Sequence, residues 1–297
     1  MPQGISLHIG LNRIDPQKYG YDGKLNACVN DAIAMQAIAD KKGYASTLLL
    51  DEAATARNVV VAIQQAYKKL NADDIFMMTY SGHGGQTVDN SKDEDKDEDI
   101  SLIGTDENED EIYFDTGGKD ETFCFYDRMY WDDELNRQLA QFKPGVRILL
   151  IADCCHAESN YKNIDEEDID ALPPTRGFGI EKSMEIVQLH QAKSYTQHYR
   201  EDFLRANSKI DASLIQLAAC KEGELSRDAN PNDSKPLYGQ FTKNLLKIWD
   251  NGHFDGNYQE LLQNTGARIH RSYQQTPVYK TEGPSNRVFE QQKPFTI

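Results

Sequence analysis

Residues 148–159 read ILLIADCCHAES. The stretch opens as a continuous apolar run and ends in an acid, two adjacent cysteines and a histidine. An apolar run of this length, bounded upstream by Pro144 and Gly145, is what a strand buried on both faces requires. The other segments alternate around it. Residues 5–12, 44–51, 73–80 and 212–220 read as strands. Helical spacing marks 25–43, the run opened by Thr55, 128–142, 238–249 and 257–273, and 275–280 reads as an edge strand. Strands alternating with helices predict a mainly parallel sheet with helices on both faces. Such sheets gather functional groups beyond the carboxyl ends of their strands. Two strands end in reactive residues here, DCCHA at 153–157 and SGHGG at 81–85.

Strand alternation separates the two cysteines. If it persists to the strand end, Asp153 and Cys155 point one way and Cys154 points into the core. By the same rule Ser81 and His83 share a side. Zinc is disfavoured, because structural sites use spaced pairs such as Cys-x-x-Cys and none is present. A cysteine phosphatase is disfavoured too, because HAESNYK after Cys155 holds no arginine to neutralise phosphate. A buried thiol is the ordinary fate of a cysteine and suits Cys154. A nucleophilic thiol needs a base and oxyanion donors. His83 is favoured as the base over His156, whose side chain should diverge from that of Cys155. The N–H groups after His83, Gly84 foremost, and that of Cys155 itself are the expected oxyanion hole.

The 297 residues carry a net charge of −16, concentrated in SKDEDKDEDI (91–100) and TDENEDEIYFD (105–115). These two stretches read as solvated, mobile loop. The charge disfavours nucleic acid, which needs a basic surface, and would attract cationic peptides. No apolar run approaches twenty residues, which argues against a membrane span, and MPQGISLHIG lacks the pattern of a secretory leader. Five cysteines, an odd and sparse count, suit a reducing cytoplasm.

YSGHGGQ (80–86), DCCHAES (153–159) and NACVNDA (26–32) together resemble the motifs of metacaspases and prokaryotic caspase-like cysteine proteases, clan CD. LIQLAAC (214–220) followed by the helix FTKNLL (241–246) extends the resemblance. It implies a caspase-like three-layer sandwich on a six-stranded, mainly parallel sheet. It implies one peptidase domain over 1–297, with a large-subunit-like part to about 160, a polar linker or control loop over 161–211 and a small-subunit-like part over 212–297. It further implies a His83–Cys155 dyad and a pocket for Arg or Lys lined by Cys28, Asp31, Ser81 and Asp153. Residue spacing agrees, since Cys28 and Asp31 fall on one helix face.

The resemblance carries an expectation of self-cleavage, with candidates Arg176 in PPTRGFG, Lys193 and Arg200. An activating protein partner, in a regulated cell-death or defence pathway, belongs to the same expectation. The sequence calls for no particular cofactor, and Ca²⁺ stays open. Asp93, Asp95, Asp97 and Asp99 are weak ligand candidates, because Glu98 replaces the turn glycine of a calcium loop and Gly104 its bidentate Glu. Lys162 stands where many relatives place a calcium-binding aspartate. The alternatives are a caspase-fold module without catalysis or an acidic calcium-binding module.

Overall fold

The computed structural model describes residues 1–88, 100–105, 111–115, 119–155, 173–192 and 209–297. Its centre is a six-stranded sheet built from β1 (Gly4–Gly10), β2 (Ala45–Leu50), β3 (Ile75–Ser81), β9 (Arg147–Asp153), β10 (Ser213–Ala218) and β11 (Val278–Glu282). The spatial order is β11-β10-β9-β3-β1-β2, and only β11 runs antiparallel to its neighbour. Between β3 and β9 lie β4 (Gly84–Val88), β5 (Ile100–Thr105), β6 (Glu111–Asp115), β7 (Lys119–Cys124) and β8 (Met129–Trp131). The helices are α1 (Pro16–Tyr19), α2 (Cys28–Lys42), α3 (Ala56–Lys69), α4 (Asp132–Leu139), α5 (Ile180–Ala192), α6 (Gln240–Trp249), α7 (Tyr258–Arg268) and α8 (Arg287–Gln291).

Strands β3, β9 and β10 split their side chains between two cores. Leu7, Phe76, Met78, Tyr80, Ile148 and Leu150 join the core that holds Val59 and Ile63 of α3 and Leu135 of α4. Ile75, Met77, Leu149, Ile151 and Leu217 face the other core, with Met35 of α2, Phe241 of α6 and Leu261 of α7. Both faces being covered explains why these strands read as continuous apolar runs. A polar residue can also be held inside the sheet. His8 bonds Thr79 Oγ1 and Ser6 Oγ at 2.9 Å each, and burial pushes its imidazole down to about 3.

Several boundaries differ from the sequence reading. The helix expected from residue 128 starts at Asp132, because Met129–Trp131 pairs with β7 as a short strand. The last long helix stops at Arg268 rather than 273, and the edge strand is displaced to Val278–Glu282. The acidic stretch 105–115 is not all loop. Glu111–Asp115 pairs antiparallel with Ile100–Thr105 as a two-stranded sheet, the alternating EIYFD having strand character that its charge concealed. Within the polar connection before β10, the segment 181–207 reads as partly helical, and α5 forms over its first part.

Candidate active site

The carboxyl ends of β3 and β9 lie side by side, Ser81 opposite Asp153. The chain leaving β3 must turn at once. Gly82 permits this, because a side chain there would press on the Tyr80 hydroxyl. That hydroxyl sits 2.6 Å from the His83 carbonyl oxygen, and the Cys124 N–H donates to the same oxygen at 3.0 Å, so the backbone of His83 is held from two sides. Cys154 packs into the large core as the alternation requires. Cys155 lies on the opposite side with Cys220 and Leu225.

His83 Nε2 lies 2.8 Å from the Gly23 carbonyl oxygen. A carbonyl can only accept, so Nε2 carries the proton and Nδ1 keeps its lone pair. Nδ1 is buried without a hydrogen-bond partner among the described residues. Burial pushes the imidazole down to about 4, against the opposing pull of the Gly23 carbonyl and Asp228, so the ring is neutral at physiological pH.

The segment Pro173–Gly179 runs through this site. Its approach is paired like an added strand: the Asp228 N–H donates to the Pro174 carbonyl at 2.8 Å and the Arg176 N–H to the Ser226 carbonyl at 2.9 Å. The Arg176 carbonyl oxygen then accepts from the Gly84 N–H and the Cys155 N–H, both at 3.0 Å. Beyond it, the Phe178 N–H donates to the Gly84 carbonyl at 2.9 Å.

The Arg176 side chain is fully buried. Its Nη2 lies 2.6 Å from Asp31 Oδ2 and 2.9 Å from Asp228 Oδ1, and its Nη1 lies 2.8 Å from Asp153 Oδ2 and 2.9 Å from Ser81 Oγ. The carboxylates are themselves braced. Asp153 accepts from Ser226 Oγ at 2.8 Å and Thr242 Oγ1 at 2.7 Å, and Asp31 accepts from the Gly239 N–H at 3.1 Å. Gly239 and Thr242 flank the start of α6, whose N-terminal N–H groups favour negative charge. A side chain at 239 would overlap the guanidinium, so glycine opens the pocket there. Burial pushes the Asp31 carboxyl up to about 7, with Arg176 pulling it back. Burial also raises the Cys28 thiol, which lies among Arg176, Asp228 and Asp31 and within bonding reach of Ser81.

The structure therefore gathers Cys28, Asp31, Ser81 and Asp153 around one cation, and brings the backbone of Gly84 and Cys155 to one carbonyl oxygen. Sequence reasoning missed Asp228, Ser226, Gly239, Thr242 and Gly23. No local pattern marks them, because all are recruited by tertiary contact. Lys193 and Arg200 lie outside the described residues, as do Asp93, Asp95, Asp97, Asp99 and Lys162. Among the described residues, no group of three or more His, Cys, Asp or Glu is arranged to hold a metal ion. No helix among them is long and apolar enough to cross a membrane.

A sheet of this order, carrying a histidine and a cysteine beyond adjacent strand ends, defines a caspase-fold protein. The caspase domain model matches residues 6–289, and the chain belongs to that family of cysteine peptidases. Metacaspase-1A of Neurospora crassa is 30% identical over 52% of this chain and 32% of its own length, and Metacaspase-1 of Candida albicans is 22% identical over 94% and 65%. The chain thus spans about a third of the first of these relatives. A crystal structure of a Geobacter sulfurreducens protein matches with TM-score 0.80 and 33% identity over 99% of both chains. Caspase-1 of Spodoptera frugiperda matches with TM-score 0.50 and 12% identity over 95% of this chain and 86% of its own, a likeness of fold.

Proposed function

We propose that this chain is a cysteine endopeptidase that cuts after arginine or lysine, and that its own Arg176–Gly177 bond is a substrate. One observation carries the reading. Arg176 places its guanidinium among three carboxylates while its carbonyl oxygen accepts from two backbone N–H groups beside the Cys155 side chain. A scissile residue must meet both conditions at once.

In this reading His83 Nδ1 takes the thiol proton and Cys155 Sγ attacks the carbonyl carbon of the basic residue. The N–H groups of Gly84 and Cys155 hold the oxyanion. The C–N bond then breaks as His83 returns its proton to the departing amine. Water, deprotonated by the same nitrogen, attacks the thioester, releasing the carboxyl product and returning the thiol.

The peptidase domain spans 1–297, with parts meeting near 160 and 211. Arg176 acts as a self-cleavage point, and as an intrinsic plug until cut. A cytoplasmic setting suits the five cysteines, which form no disulfide among the described residues. A protein partner that draws 173–179 out of the site would activate the enzyme, in a cell-death or defence setting.

The test is cleavage in trans of peptides bearing Arg, Lys or Asp before the scissile bond. Cutting after Arg and Lys is expected, abolished in Cys155→Ala. In Asp153→Asn it should fall by orders of magnitude, because removing one partner of a desolvated charge pair costs about 2–5 kcal/mol. Cleavage after Asp as fast as after Arg contradicts the pocket assignment.

A further inference from the structure

The side of the site beyond the bond is as closely fitted as the arginine pocket. Gly177 passes directly over the nucleophile: a Cβ built on it would overlap Cys155 Sγ and come within 2.7 Å of the Cys155 carbonyl oxygen. Its φ lies outside the left-handed region, so the demand for glycine comes from lack of space rather than backbone conformation. The next residue, Phe178, is 5% exposed. Its ring stacks on the His83 imidazole with centroids 4.4 Å apart and planes at 26°, and meets Tyr21 edge-on at 5.6 Å and 62°. Its N–H is fixed on the Gly84 carbonyl, the residue whose own N–H holds the Arg176 oxygen.

We infer that the enzyme has a selective leaving-group side: it takes Arg followed by glycine and then an aromatic residue, the ring seated between His83 and Tyr21. This rests on the reading of Cys155 as the nucleophile. The aromatic ring would have two effects. It fixes the plane of the imidazole, and it keeps water from the base until the leaving segment departs. An acidic or small residue in that position would leave one face of His83 uncovered. The substrate class is thus peptides of the form Arg-Gly-aromatic, and PPTRGFG is this chain's own example.

The test compares peptides in trans, using the full chain as self-cleaved wild type and as Arg176→Ala, whose pocket its own arginine does not fill. The substrates are the blocked heptapeptide PPTRGFG, its variants with Ala for Gly, with Ala, Asp, Tyr or Trp for Phe, and PPTR bearing a coumarin amide in place of the leaving segment. Tyr and Trp should keep kcat/KM within a few-fold, Ala or Asp for Phe should lower it about tenfold, and Ala for Gly should lower it further. The effect of Phe→Ala should grow at lower pH, since an uncovered His83 takes up a proton more readily. Cleavage of every peptide within twofold overturns the leaving-side selectivity while leaving the endopeptidase reading intact. Failure to cut even the coumarin amide, in both forms of the enzyme, overturns both.

Discussion

Two buried arginines lie near opposite ends of the same strand, and they are treated differently. Arg147 opens β9 and meets neutral groups: Gln292 Oε1 at 2.7 Å, the Asp73 carbonyl at 2.7 Å, and the face of Phe289 with its guanidinium 6.0 Å from the ring centre. Arg176, beyond the other end, meets Asp31, Asp153 and Asp228 together. Neutral acceptors suffice for a cation that stays in place. Three carboxylates on one guanidinium leave the pocket net negative, and each carboxylate is separately braced by hydroxyl or backbone donors. In the proposed reading the pocket is built to exist, and to attract a basic group, whichever guanidinium fills it.

The largest effect that could break this contrast is on stability. Arg176→Ala removes the partner of three buried carboxylates and should cost about 3–5 kcal/mol in denaturant unfolding. Millimolar free arginine should restore part of it by mass action, beyond what equal sodium chloride does. Arg147→Gln, which strips hydrogen bonds from neutral partners, should cost about 1–3 kcal/mol and gain nothing from arginine. Equal losses in the two variants, or no rescue of Arg176→Ala, would erase the distinction between the two ends.

A smaller effect sharpens it through pH. The His83 imidazole, pushed down to about 4 by burial, stays a base well below its ordinary 6.5. Self-cleavage of the occupied site should therefore hold its rate from pH 8 down to about 5 and fall only as pH drops through about 4. Turnover of a short peptide lacking the leaving segment, which lets water reach the ring, should lose its rate nearer 6.5. Stability is a poor readout for this. Between 4 and 6.5 the unfolded chain holds more protons at His83, so stability falls as pH is lowered. Asp31, raised to about 7, acts in the opposite sense over 3.8 to 7, because there the folded chain holds the extra proton. Coincident acid limbs for the two reactions would contradict the burial of His83 by Phe178.

Much of this molecule was legible in advance for a physical reason. ILLIAD and IFMMTY are apolar on both faces, so they fixed a covered sheet, and alternation along them separated Cys154 from Cys155. The helix start at Thr55 announced itself through its side chain, which accepts from the Asn58 N–H at 3.2 Å. The small sheets were hidden because their strands are short and mix charge with apolar residues, as in KDETFC and EIYFD. Asp228, Ser226 and Gly239 were hidden more deeply. They lie after β10 in a stretch without periodicity, and only the folded chain brings them to Arg176. That PPTRGFG offers an accessible-looking basic site was readable from its prolines and glycines; that its Arg176 carbonyl meets the Gly84 and Cys155 N–H groups was not.

The most direct measurement is intact-mass analysis of freshly purified wild type beside Cys155→Ala over a time course. The account predicts that wild type divides between Arg176 and Gly177, giving fragments 1–176 and 177–297, while Cys155→Ala stays whole. A wild-type chain that remains intact while cutting basic peptides, or that is cut only elsewhere, would contradict it.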